Sequence, residues 1–541
     1  MKKTFLSLLL AGALSASAAQ GFKDGVEYYR ADQPEEAQII LTNNLNQTSG
    51  TDKATAYYYL GQIALQAGDK AMAKTNFDKG IAADDQNGYN YVGLGALALA
   101  NGDASTANGY FKDAKKLAKK DADVLTEIAR AYFVADPVKY NTEIEKALTD
   151  AKKAVKNAPA PFILEGDRLA KTNVGEAAGM YEMAAQFDTN LVHPEAYVKY
   201  ARVYFPVNPQ FAIKKLQDLL EAQPNSALAQ RELAEKYYDN NQLTRAAEQY
   251  EKYIQNPNSF KKDKQRLVGL LFFAKRYPES YDLASQILAE EPNNHYMQRL
   301  QFYNKKALEE NDAALAHAKT LFANPTAELN SQDYIQYGEL LQTMGNDTLA
   351  VDMYEKAVEV APEKTALLKD LSAAYSSAKM YDKAADTMAK FIDGEGENAN
   401  PNDVLALARR YQNLAISYME TDSTASKAAA AKALATINKV IESVPDNPLV
   451  LNTKSDILRV ASNGEVTPDV IEADMETLKV LDSDPANLEK RKSIYRAIYG
   501  RLGNYYLTDQ KDVETAKVYF QKFYDIEPSE DLKAFIDGLG N

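Results

Sequence analysis

The sequence predicts an all-α protein, a solenoid of stacked helical hairpins, and three observations carry that prediction. The first is a fixed period. Gly61 lies in YYYLGQIALQAGDKAMAKTNFDKG and Gly95 in YNYVGLGALALANGDASTANGYFKDA, and 95 − 61 = 34. The second is the agreement of large and small residues at fixed offsets. An aromatic stands before each Gly (Tyr57, Tyr91), an Ala after it (Ala73, Ala107), and a Phe beyond that (Phe77, Phe111). The third is punctuation. GDK at 68–70, NGD at 101–103 and GND at 345–347 each end one apolar run and offer Asp or Asn to cap the next. A period of this length means that each unit buries its apolar face only against its neighbours.

The N-terminal residues MKKTFLSLLLAGALSASAAQGF combine Lys2 and Lys3, an apolar run from Phe5 to Leu14, and small residues to Ala19. That pattern predicts a secretory signal peptide over 1–19, cleaved after Ala18 or Ala19. With no Cys in the chain there is no acylated-cysteine lipid anchor, disulfide or thiolate metal site. The apolar stretches after the leader, VGLGALALA and GLLFFA, are too short to span a bilayer.

Residues 20–541 read as hairpin copies from end to end. FKDGVEYYRADQPEEAQIILTNNL is a copy centred on Gly25 and Ala37. After the copies at Gly61 and Gly95, the segment from Ala122 to Pro159 keeps the pattern with extra residues between its helices, as does Ala408 to Pro445. Looser copies surround Tyr200-Ala201, Val268-Gly269, Phe302, Leu371-Ser372 and Leu414-Ala415. Ala246, Tyr250 and Pro257 mark one second helix, and Ala516, Phe520 and Pro528 another. In SQDYIQYGELLQTMGNDTLAVDMYEKAVEVAP, residues 331–362, Gly338 is expected against Ala350, with Tyr334 and Tyr354 filling the layers and Pro362 closing the unit. The copy from Pro448 to Pro485 is the weakest. FIDGEGENANPND at 391–403 is the candidate loop or bend.

These spacings resemble the tetratricopeptide repeat, a helix-turn-helix unit of about 34 residues, and about a dozen copies cover the mature chain. The resemblance implies a right-handed superhelix whose first helices line a concave groove that holds a peptide or a partner helix. It implies a non-enzymatic scaffold or adaptor, with a chaperone or envelope-assembly factor as the alternative and an enzyme with an unrecognised site as a further one. Together with the leader it places the protein in the periplasm of a Gram-negative bacterium, peripheral to the outer membrane and associated with a complex there.

Composition agrees with a protein or peptide partner. The formal charge is −14, against the basic surface that nucleic acid or anionic lipid requires. With 35 Tyr and no Trp, Tyr supplies most of the aromatic packing. His193, His295 and His317 form no metal-ligand pair, no nucleotide loop or nucleophile elbow is present, and neither cofactor nor metal is expected. The candidate site is a cationic row on successive first helices. Arg231, Arg266 and Arg299 hold equivalent positions, with Lys199 and Arg202 contributed by the copy before. Guanidinium groups in that arrangement suit an acidic peptide through charge-assisted bidentate hydrogen bonds. Pairing with Glu232, Glu235 and Asp263 is the competing reading. Tyr58 and Tyr59 are candidates for an aromatic contact patch or for the core.

Overall fold

Every regular element among the described residues, 21–484 and 486–539 of the computed structural model, is a helix. The signal-peptide expectation, residues 1–19, and the closing Pro485 lie outside them. The chain divides into two compact units, Met1–Asn304 and Lys305–Asn541.

In the first unit the helices are α1 (21–30), α2 (Pro34–Asn44), α3 (Gly50–Gln66), α4 (Lys70–Ala83), α5 (Gly88–Ala100), α6 (Ala104–Ala118), α7 (Ala122–Ala135), α8 (Asn141–Ala154) and α9 (Pro159–Leu169). They continue as α10 (Val174–Phe187), α11 (Glu195–Tyr204), α12 (Pro209–Ala222), α13 (Ala227–Asp239), α14 (Leu243–Tyr253), α15 (Lys261–Phe273), α16 (Tyr277–Glu290) and α17 (His295–Ala307). In this unit odd-numbered helices are the first of each hairpin. From α3 to α15 each packs on its own partner, and α3, α5 and α7 pack as well on the first helix of the next hairpin. The second unit repeats this with α18 (Asn311–Ala323), α19 (Ser331–Thr343), α20 (Asp347–Val360), α21 (Leu367–Ser377), α22 (Tyr381–Glu395) and α23 (Pro401–Tyr418). It ends with α24 (Ser423–Ser443), α25 (Pro448–Ala461), α26 (Pro468–Leu481), α27 (Ala486–Lys490), α28 (Lys492–Thr508), α29 (Val513–Ile526) and α30 (Glu530–Gly538).

In most hairpins the turn uses a left-handed residue after the first helix. Gly68, Gly102 and Gly345 take φ of 83°, 79° and 76° there, a conformation that costs glycine nothing. Asn241 and Lys275 hold the same place with φ of 55° and 62°, and 275 − 241 = 34. Two of the three sequence caps form: the Asp69 carboxylate accepts from the Met72 N–H, and that of Asp103 from the Thr106 N–H. The third differs, since Asn346 makes no side-chain cap.

The recurring glycines make room for rings. A Cβ at Gly338 would lie 2.9 Å from the Tyr354 ring, and one at Gly503 2.7 Å from Phe520. At Gly338 the group that requires the small residue is the aromatic one turn beyond Ala350 on the second helix. Tyrosine carries the core as its abundance implied, with Tyr28, Tyr58, Tyr59, Tyr181, Tyr250 and Tyr253 among the largest fully buried side chains.

The 391–403 segment is no long loop. It comprises the end of α22, a 3-10 turn at Gly396–Asn398 and the start of α23, with the reversal at Gly396, φ 57°. The division between the units falls at Asn304 and Lys305 instead.

Candidate partner-binding site

The cationic row belongs to the first-helix face of the first unit, and most of it is already engaged. Lys199, on α11, is buried, and its Nζ lies 2.7 Å from Asp167 and 2.8 Å from Asp32. Arg202 donates through Nε and a terminal nitrogen to both Glu232 oxygens, at 2.9 and 2.7 Å, and through its other terminal nitrogen to the Ala31 carbonyl at 2.6 Å. Arg231, on α13, makes the same fork to Asp263, at 3.0 and 3.3 Å, and donates to Gln33 Oε1 at 2.9 Å. Arg266, on α15, pairs with Glu235 at 3.2 Å and lies over the Tyr238 ring at 4.2 Å. Arg299 stands on α17, where its charge bears on the Tyr296 phenol.

Asp32, Ala31 and Gln33 belong to the chain's own N-terminal hairpin. α1 and the start of α2 lie against first helices far along the chain. Glu36 meets Arg231 at 3.8 Å and Lys262 at 2.8 Å; Ser226 Oγ donates to Glu27, and Asn258 Nδ2 to Asp24. Tyr28 packs edge-on against Phe260 with ring centroids 5.5 Å apart. Tyr28, Ala31, Ala37 and Ile40 share one apolar core with Val198, Leu228, Leu233 and Leu267. The acidic helical ligand that the row suggested is therefore, from Lys199 to Arg231, a segment of the same chain. Glu232, Glu235 and Asp263 are held at the same time, so both readings of these side chains describe part of the arrangement.

Next to this contact lies a buried ionic network. Arg30, from α1, reaches Asp123 and Glu195 at 3.6 and 3.8 Å and donates to the Tyr59 hydroxyl at 2.8 Å. His193 bridges the same two carboxylates, Nε2 to Asp123 at 3.1 Å and Nδ1 to Glu195 at 2.9 Å. Burial opposes charge on the imidazole, but Glu195 and Asp123 outweigh it and raise His193 to about 10. In return, against the same burial, His193 and Arg30 hold Asp123 down at about 2. Arg130 joins Glu127 to Asp167, and the Tyr58 hydroxyl donates to Glu127 at 2.8 Å. These groups border a cavity of about 460 Å³ whose wall includes Tyr29, Leu65, Ala131 and Ile163.

Sequence reasoning placed neither Arg30 nor His193 in a cluster, because apart from Glu195 beside His193 their partners stand far away in the chain. The buried Tyr58 and Tyr59 are core residues, not a surface patch. His295 opens α17, and His317 is lowered by burial and by Lys305. Among the described residues no group of three or more His, Asp or Glu is placed to hold a metal ion, and no helix is long and apolar enough to cross a membrane.

No family model matches the chain. No curated protein matches it. Among solved structures it is similar to the C-terminal part of a TPR repeat-containing protein from Cytophaga hutchinsonii, at 18% identity over 50% of this chain and 98% of that one, with a TM-score of 0.41. It is similar to a tetratricopeptide repeat protein from Parabacteroides merdae, at 16% identity over 47% of this chain and 98% of that one, with a TM-score of 0.28. A thermophilic TPR protein from Thermus thermophilus has 14% identity over 38% of this chain and 97% of that one, with a TM-score of 0.26. At scores this low the repeat type rests on the chain's own hairpins. Their alternation, the left-handed turn residue that recurs in most of them and the glycine-to-ring contacts make this chain an all-α solenoid of stacked helical hairpins, the architecture that the tetratricopeptide resemblance implies.

Proposed function

We propose that the chain is an exported, non-enzymatic scaffold or adaptor of the bacterial cell envelope, in the periplasm and peripheral to the outer membrane, that docks a protein partner on the first-helix faces of its repeats. The observation that carries the reading is the docked N-terminal hairpin. Asp32, in its turn, is held by Lys199, and Glu36, on α2, by Arg231 and Lys262, while Ser226 donates to Glu27 and Tyr28 on Phe260 supplies an apolar anchor. This face can bind an acidic helical segment with an aromatic anchor, the combination found at interface hot spots.

A partner would meet the cations outside the hairpin's footprint. The Arg266 side chain is 40% exposed. In the second unit Arg410 is half-buried, and its described partners are the hydroxyls of Ser372 and Ser376, each at 3.3 Å. Burial lowers its pKa, as expected of a guanidinium without a carboxylate to offset the loss of water. Affinity capture from a periplasmic extract tests the reading. One partner retained at fixed stoichiometry, and weakened severalfold by Arg266→Ala or Arg410→Ala, supports it; many unfolded clients would make the protein a chaperone, and a cytoplasmic location would remove the envelope role.

A further inference from the structure

The N-terminal hairpin makes two kinds of contact, and only one of them belongs to the repeat. Within it Gly25 admits Leu41, whose side chain would lie 2.7 Å from a Cβ there, and the Tyr29 ring meets Tyr59 of α3 at 5.0 Å, as stacked hairpins require. Asp24, Glu27, Tyr28, Gln33 and Glu36 instead meet α13, α15 and the residues that precede them, across 198 positions or more. Tyr29, Arg30, Asp32 and Pro34 also form one side of the cavity, so the hairpin covers that space as well.

This second set of contacts holds features that oppose it. Asp24 and Glu195 are buried, and Glu27 lies close to both; burial, and after it Asp24, push the Glu27 carboxyl up to about 8, so the docked helix keeps a proton that a free segment gives up at neutral pH. Glu195 Oε2 is buried with no hydrogen-bond partner, which is costly for a carboxylate oxygen. The outer edge of the contact is also open to solvent. Lys262 holds Glu36 at 2.8 Å with its own side chain 56% exposed, and Arg266, one turn along α15, is 40% exposed.

We propose that the N-terminal hairpin is a built-in competitor for the partner: an acidic helical segment bearing a tyrosine binds Arg231, Lys262 and Phe260 by displacing α1 and α2 from them. The inference rests on the reading that a partner docks on these first-helix faces, and it adds where the partner lands and against what. Entry is at Arg266 and Lys262, where a partner carboxylate replaces Glu36; a partner tyrosine then replaces Tyr28 on Phe260. Both are needed. The displaced hairpin stays tethered to α3 through residues 45–50 and keeps an effective concentration on the order of millimolar, and a segment with charge alone leaves the apolar contacts of Tyr28, Ala37 and Ile40 unreplaced.

A fluorescein-labelled peptide of residues 21–44, itself acidic and bearing Tyr28, is the probe. Anisotropy titration compares the unsubstituted full chain with Tyr28→Ala/Glu36→Gln, which loosens the hairpin and leaves Arg231, Lys262 and Phe260 in place. Amide exchange over 21–44 should rise at least about tenfold in the double variant, and the peptide should bind it at least about tenfold more tightly than the unsubstituted chain. Adding Lys262→Ala should reverse most of that gain. Glu36→Gln alone, which spares the buried ring, makes the same comparison with a severalfold gain should the double variant fail to fold. Equal affinity for loosened and unsubstituted chains, no binding to the loosened chain, unchanged exchange over 21–44, or equal binding of a peptide with Asn and Gln in place of its Asp and Glu would each overturn the competitor. A chain that passes yet retains no partner from a periplasmic extract keeps the competitor and loses the scaffold reading, and a chain that fails yet retains one does the reverse.

Discussion

Phe77 shows how tightly single residues set the repeat. Its ring lies between Gly61 and Gly93, and a Cβ at either position would come within 2.3 Å of it. The ring has nowhere to retreat. Gly61→Ala gains up to about 1 kcal/mol of helix propensity, yet overpacking of a filled core costs typically 1–3 kcal/mol, so a net loss of about 1 kcal/mol is expected. A double-mutant cycle in urea with Phe77→Leu should recover most of it, since the two changes share one contact. Charge at single residues leaves an equally readable mark. The Glu27 carboxyl, ordinarily at 4.5, stands at about 8 through burial and Asp24, so the unfolded chain loses this proton first and stability falls as pH rises from 4.5 to 8. For His193, raised from 6.5 to about 10, stability falls between those values. The urea midpoint of the first unit should therefore decline from pH 4.5 to 10, most steeply between 6.5 and 8, where both groups contribute. Glu27→Gln should remove the decline below pH 6.5 and His193→Gln the decline above pH 8, each reducing the slope between them.

At the scale of elements, the N-terminal hairpin was legible as a repeat but not as a ligand. FKDGVEYYRADQPEEAQ carries the small residues of the unit, and Gly25 and Ala37 are buried as the pattern requires. Its destination depends on pairs such as Arg231 with Gln33, separated by 198 positions, and no period encodes a contact of that kind. The cationic row was legible for the opposite reason, since Arg231 and Arg266 sit at equivalent places. Each also has an acid one repeat away, so spacing alone could not say which contact forms; the structure holds Arg231 in both. The consequence can be measured. Arg231 has a 19% exposed side chain and forks onto Asp263, whose own is 4% exposed. Losing one partner of such a pair costs about 3 kcal/mol or more. Arg276 pairs with the more exposed Glu251 and Glu279, and losing it costs under about 1 kcal/mol. Arg231→Ala should accordingly raise amide exchange throughout 21–44 by at least tenfold, whereas Arg276→Ala leaves it unchanged; equal effects would detach the hairpin from this arginine.

For the whole molecule, the difference between the units is one of connectivity. In a repeat array each hairpin is stabilised by its neighbours, and stability approximates a sum of unit and nearest-neighbour contributions. The described contacts of the second unit follow that rule: Lys306 meets Glu339, Tyr418 meets Asp382, and Arg501 meets Asp474, all between adjacent hairpins. The first unit adds contacts of another order, with Asn258 on Asp24 spanning 234 positions and Lys262 on Glu36 spanning 226. Closing a long loop costs only slowly more as it lengthens, so once α1 and α2 dock, opening any hairpin between α3 and α15 also strains that closure. Hydrogen exchange across a urea series should then show the first unit losing protection in one step, while α19 to α26 open gradually from less to more stable hairpins. Combining Arg202→Ala with Arg231→Ala removes both arginines that donate to the hairpin, at Ala31 and Gln33, and should turn the single step into a graded one without altering the second unit. A graded first unit in the unsubstituted chain, or a single step that survives both substitutions, would mean that its cooperativity comes from neighbour packing alone.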